Sequence, residues 1–273
     1  MLVLGILVGA GCSTNGQPGN GPPEPTARPS AERTAPPSAA GDVVFRVRNA
    51  GGLAPSLTVR PPAVTLYSDG RLVTPRPTSG PAPAMPQLEV RTLAPGATTR
   101  ILALAREAGL ASEPTVTDPP TPDGVATIIS VRSGGEVVRN EFYGLSPRAG
   151  EAAERARLRA AARSLLAELA DVESLVGRSN VSVPVPLTPP RLALSARRAV
   201  AGESVTDIRR WPREAGELSA LPMPPRCEVV VGRPAEVLTA VLTSSPVGVV
   251  WEQSGQRWRV VARPLLPDEI GCS

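Results

Sequence analysis

The chain has 273 residues with 29 basic and 25 acidic side chains, a formal charge of +4, no histidine and no lysine, so every basic residue is arginine. Without imidazole there is no Ser-His-Asp triad and no His-ligated metal. Without lysine there is no Schiff base, no P-loop ammonium and no Ser-x-x-Lys nucleophile. Aromatic residues make up 3% of the chain, so a core has to be assembled from Ala, Val and Leu, while 33 prolines and 25 glycines imply many turns and loops.

The chain opens Met-Leu-Val-Leu-Gly-Ile-Leu-Val-Gly-Ala-Gly-Cys, an uncharged apolar run that meets small residues and then Cys12. This resembles the end of a bacterial lipoprotein signal peptide. The resemblance implies a signal over 1–12, lipid (palmitate and related acyl chains) on Cys12, and export. Gly9 stands where such a signal usually has an aliphatic residue, and no basic residue precedes the apolar run, so the translation start is expected upstream. A run this short does not cross about 30 Å of hydrocarbon. Residues 13–41 are Pro/Gly/Ser-rich with almost no large apolar side chain and read as a disordered tether.

Roughly 230 residues remain to fold, enough for one large or two small domains. An N-terminal α+β region is expected over 42–177, a Pro-punctuated connector over 178–190, and a C-terminal α+β region over 191–273. The first region starts with a strand at Val43–Val47. A hairpin follows, with arms Val64–Ser68 and Arg71–Thr74 about Asp69-Gly70. After a Pro-rich excursion, Pro75 to Pro86, come a strand at Leu88–Val90 and a helix over Pro95–Ala108 capped by Gly109. A second hairpin, Val125–Arg132 and Val137–Tyr143, turns at Gly134-Gly135. The longest helix is expected to open at Ser146-Pro147, to carry the stripe Leu158, Leu165, Leu169, Val172 and Val176, to pair Glu151 with Arg155, and to end at Gly177.

The second region has strands at Leu192–Ala196 and Cys227–Val231 and a helix from Pro234 to Leu242. A last hairpin, Val247–Glu252 and Arg257–Arg263, turns at Ser254-Gly255. In that register Trp251 faces Trp258, and Val249, Val260 and Ala262 share their side with Val247. Glu252, Arg257, Arg259 and Arg263 take the other. The order strand, helix, Gly-containing hairpin thus occurs twice. A diverged duplication and a chance recurrence of a common α+β unit both account for it.

Candidate sites are few. Ser146 lacks the second glycine of a nucleophile elbow and any histidine base, and serves better as a helix cap. Asp118 and Asp123, with Asp69 or Glu113, do not match the spacing of a Ca²⁺ loop and read as turn residues. No metal or other cofactor is expected. The arginine clusters at 155/157/159/163, 209/210/213 and 257/259/263 read as solvated surface, and no nucleic-acid partner is expected. Trp211, beside Pro212 and next to Arg209 and Arg210, is the candidate exposed ligand-binding anchor.

The ending Arg263-Pro264-Leu265-Leu266-Pro267-Asp268-Glu269…Cys272, with the signal and tether, resembles uncharacterised secreted lipoproteins of high-GC actinobacteria, a group with no assigned activity. With Cys12 lipidated, Cys227 and Cys272 remain and are expected to form a disulfide in an exported chain. The expectation is therefore an α+β lipoprotein tethered to the outer side of the cell membrane. Its role would be non-enzymatic, binding an envelope protein, wall polymer or small ligand. The alternative is a carboxylate-dependent hydrolase of envelope glycans.

Overall fold

Alternating apolar side chains build two β-sheets here, and the helices fill in against them. The computed structural model describes residues 41–51, 60–112, 117–119, 124–146, 148–200, 202–203, 205 and 207–271, all within one unit. The fold is α+β. The first sheet takes β1 (Val43–Gly51), β2 (Val64–Tyr67), β3 (Arg71–Pro75), β4 (Leu88–Thr92), β5 (Val125–Ser133), β6 (Glu136–Tyr143) and β7 (Val185–Leu187), in the order β6-β5-β1-β2-β3-β4-β7. All its neighbours are antiparallel. Helices α1 (Pro95–Glu107), α2 (Ala153–Ala170) and α3 (Val172–Val176) belong to the same half. Phe45, Val47, Ile129 and Val131 share one core with Ile101, Ala105, Leu165 and Leu169 of the helices. Helix α1 buries Ala97, Ile101 and Ala105, one side chain per turn along a single face.

The second sheet takes β8 (Arg191–Arg198), β9 (Ile208–Arg210), β10 (Glu228–Val231), β11 (Val250–Gln253) and β12 (Gln256–Pro264), in the order β10-β8-β12-β11-β9. Helix α4 (Arg233–Thr243) supplies Leu238 and Leu242 to a core with Leu192, Leu194, Trp251 and Trp258. Trp251 pairs with Trp258, Glu252 with Arg257 and Gln253 with Gln256, which is the register read from the alternation. The turn there sets Ser254 and Gly255 at φ 53° and 72°, the double positive φ of a two-residue hairpin turn.

Several expectations are corrected. Helix α2 begins at Ala153, and its first turn has no side-chain cap. A helix from Ser146 would have to run through Gly150, which adopts φ +73° and breaks it. Asp171 divides the long helix by capping α3, its carboxylate accepting from the Ser174 N–H at 3.2 Å and hydroxyl at 2.6 Å. Glu151 bonds Arg159 rather than Arg155. The connector 178–190 contains β7, an edge strand on β4. Val247 is 60% exposed and precedes β11. Arg159, placed on the surface by its cluster, is buried.

The two strand–helix–hairpin units do not share a topology. In the first sheet the hairpin joins through β5, its first strand, and three strands separate β5 from β4. In the second the hairpin joins through β12, its second strand, and only β8 lies between β12 and β10. The element order recurs without a common arrangement, which weighs against a duplication.

The Pro-rich excursion leaves the first sheet to seat Met85 in the Trp251 core. Its backbone is held there, the Ala84 N–H donating to Ser245 O at 2.7 Å and the Val247 N–H to Ala82 O at 2.7 Å. The C-terminal segment returns the favour. Leu266 packs with Tyr67, Val73 and Leu88 on the face of the first sheet away from the helices. Arg263, expected on a solvated face, is buried against Glu269, with Nη1–Oε1 at 2.6 Å.

Candidate functional site

Where the helical layer ends at α2–α3, the first sheet is left partly uncovered and a cleft of about 600 Å³ opens. Its apolar wall combines Val47, Val64 and Leu72 of the sheet with Leu166, Leu169 and Val172 of the helices. Strand β4 positions the polar side. Leu88 and Val90 point to the packed far face, so Glu89 and Arg91 point into the cleft. Arg91 bridges two carboxylates from different elements, with Nη2 3.5 Å from Glu89 and Nη1 3.0 Å from Glu173 of α3. Arg178 Nε adds a second contact to Glu173 at 3.2 Å. Asn49 accepts from the Thr127 hydroxyl at 3.3 Å, a second polar pair on the wall. The Ser174 hydroxyl and N–H hold the Asp171 carboxyl, at the rim, below the usual carboxylate range. An apolar wall with a few convergent polar groups is how small-molecule sites are commonly built.

The residues singled out from sequence lie elsewhere. Trp211 is buried, a correction to the exposed-anchor expectation. Its ring meets Trp251 edge-on at 5.3 Å and 79°, and its Nε1–H donates to Gly216 O at 3.1 Å. The large apolar ring joins the Trp251–Trp258 core, and its N–H keeps a hydrogen-bond partner there. Arg209 pairs with Asp207 at 2.7 Å and donates to the buried Ser245 hydroxyl at 3.0 Å, while Arg210 is exposed on the edge strand β9. The three do not form a common site. Cys272 and Cys12 lie outside the described residues, as do Glu113 and Asp123, so the expected Cys227–Cys272 pairing stays a proposal.

Asp118 is not a turn residue at the surface but the centre of a buried ion network. Arg159 Nη2 reaches Asp118 Oδ2 at 2.9 Å and Glu151 Oε1 at 2.7 Å. The Tyr143 N–H donates to Asp118 at 2.9 Å, and Arg159 Nη1 donates to Gly144 O. Burial by itself would lower the Arg159 pKa, but its hydrogen bonds to Glu151 and Asp118 outweigh that and hold it above its ordinary value. The same bond from Arg159 keeps the Glu151 carboxyl below its usual range. These groups tie α2 to β6 and leave no oxygen set open for a cation. No cluster of potential metal ligands occurs among the described residues.

Sequence reading missed the cleft because Glu89 and Arg91 alternate with Leu88 and Val90 like any half-solvated strand. The signal that could have found them is a charged pair on a strand whose neighbours are apolar on both sides. The fold is an α+β domain with an apolar-walled cleft beside α2–α3. Comparison with protein-family models, with characterised proteins and with solved structures finds no match for the chain. No helix among the described residues is long and apolar enough to cross a membrane.

Proposed function

We propose that this chain is an extracytoplasmic lipoprotein, held at the cell membrane through lipid on Cys12, whose folded domain binds an amphipathic small molecule without transforming it. The observation that carries the binding role is the cleft beside α2–α3, with an apolar wall and, on its polar side, the Glu89–Arg91–Glu173 bridge. The export reading is supported by the apolar run into Cys12 and the tether-like segment behind it.

The hydrolase alternative has its best acid pair in the same place. Glu89 and Glu173 meet across the cleft, but the Arg91 guanidinium occupies the space between them where a glycosidic bond and its water would sit. Among the described residues no aromatic ring lines the cleft to stack on a sugar. Binding is the better fit.

One preparation tests both halves of the proposal. The chain expressed with a functional signal should partition with membranes and carry acyl mass on Cys12, and Cys12→Ala should move it to the soluble fraction. In the soluble form, N-phenyl-1-naphthylamine should bind saturably with enhanced fluorescence. Ala170→Trp, which fills the cleft from an exposed helical position, should abolish that binding with little change in Tm. Unmodified Cys12 would end the anchor reading, and probe binding unaltered in Ala170→Trp would end the cleft reading.

A further inference from the structure

The face of the first sheet turned away from the helices carries a second concavity, of about 450 Å³. Strands β1, β5 and β6 each contribute arginine to it: Arg46 and Arg48, Arg132, and Arg139. The register lines them up. Arg139 is opposite Ser130, and Ser130 is opposite Arg46, one straight row across three strands. The carboxylates of the basin are Asp42 and Asp268, so its wall has four guanidinium groups against two acids. Three of the arginines are already engaged: Arg46 with Asp268 at 2.7 Å, Arg139 with Glu141 at 3.0 Å, and Arg132 Nε with Val43 O at 3.1 Å. Arg48 is half-buried and makes no hydrogen bond or ion pair with the described residues. Burial, then the neighbouring charges of Arg46 and Arg139, depress its pKa, with Arg263 adding to them and Glu269 opposing. A cation in that position gains from an anion brought in from outside.

Two further features say which anion. Gly41 and Asp42, where the segment 13–41 enters the domain, line this same basin. A chain anchored at Cys12 therefore joins its domain on the basic side. Val137, 56% exposed, stands on the basin wall close to the Gly134-Gly135 turn, an apolar contact beside the cations. This pairing of basic and apolar side chains suits a headgroup layer.

We infer that the Arg46–Arg48–Arg132–Arg139 face docks on anionic phospholipid headgroups, laying the first sheet against the membrane and leaving the ligand cleft on its opposite face open to the periplasm or wall space. The anchor reading serves only to bring a membrane near, and the charge of the face does not depend on it. Each arginine close to an anionic surface contributes about fivefold in affinity, and the effect fades as the screening length falls from about 8 Å at physiological salt to about 3 Å at 1 M.

The test uses the full chain carrying Cys12→Ala, so that no lipid contributes, in sedimentation with vesicles of phosphatidylglycerol or of phosphatidylcholine. The ratio of the two affinities removes any share of the apolar N-terminal run. It should favour phosphatidylglycerol, fall about 25-fold in Arg48→Gln/Arg139→Gln, and collapse at 1 M salt. Arg139→Glu alone, at an exposed side chain, gives a second reading if the double variant loses its fold. Equal binding to both vesicles, or a ratio untouched by these substitutions in folded protein, overturns the inference. Release by inorganic phosphate at constant ionic strength would also overturn it, by making the basin a site for free anion. Because the assay contains no acylated protein, its outcome is independent of whether Cys12 is lipidated in the cell.

Discussion

Arg159 shows what a single side chain can hold together. Its guanidinium joins α2, the residues following β6 and the 117–119 segment through Glu151, Gly144 and Asp118, and both Arg159 and Asp118 are 1% exposed. A buried ion left without its partner costs more than the intact pair contributes. Asp118→Asn should therefore lower unfolding free energy by about 3–5 kcal/mol in urea titration, whereas a surface substitution such as Arg157→Gln should change it by under about 0.5 kcal/mol. Glu151 adds a pH dependence. Its folded pKa lies below the unfolded value, so its contribution is complete above about pH 4.3 and disappears as pH falls through the depressed folded pKa. In Glu151→Gln the acid limb of the stability curve should be shallower and the plateau near neutrality lower. An unchanged acid limb would show that Glu151 is not what titrates there.

At the scale of elements, turns decide whether the alternation of the strands lands on the intended face. The β2–β3 turn is the most constrained. Gly70 adopts φ +86°, and a Cβ there would meet Leu93 O at 2.6 Å. Its own carbonyl accepts the Leu93 N–H at 2.9 Å, so the turn also fixes the start of the segment leading into α1. Gly70→Ala combines backbone strain with a collision against backbone, and should cost about 1–3 kcal/mol. The Gly134-Gly135 turn is the control, since nothing lies within 4 Å of a Cβ at either residue. Gly135→Asn, which tolerates positive φ, should leave Tm nearly unchanged.

For the whole molecule, the C-terminal segment is the clamp between the two sheets. Asp268 receives the Tyr67 hydroxyl at 2.6 Å and Arg46 at 2.7 Å. Burial first, and then the bond to Asp268, hold the Tyr67 phenol well above its ordinary pKa. Arg191 meets the same segment at Pro267 O, 3.0 Å away. Asp268→Ala should cost about 1–3 kcal/mol, the penalty for leaving buried donors unpaired, and the loss should be read by unfolding in denaturant. A bridge from Cys227 to Cys272 would secure this clamp by closing a loop of 46 residues, worth roughly 4 kcal/mol in the chain-entropy picture. Thiol titration of the unfolded, unreduced chain should find neither cysteine reactive, and reduction should lower the denaturation midpoint. Two reactive thiols would refute the pairing. The residues Leu265 to Asp268 thus join the two sheets.

Local rules were enough for much of this chain. Period-two alternation with Gly-containing turns placed three hairpins and set Trp251 opposite Trp258. Helices α1 and α4 run within about a residue of the spans read from their proline starts. Those features depend on neighbours within about ten residues, and the sequence displays them directly. The cleft and the basic face depend on strand order, which local pattern does not encode. Glu89 meets Glu173 only because β4 is near the edge of the first sheet under α3, and Arg46, Arg48, Arg132 and Arg139 converge only because β1 pairs with β5. The same limit explains Trp211 and Arg263. Flanking residues made each look exposed; Trp251, far along the chain, packs on Trp211, while Arg263 is paired by a fold-back to Glu269 that the strand pattern does not announce. Solvation is decided by the tertiary neighbours of a side chain, and composition along the chain cannot stand in for them.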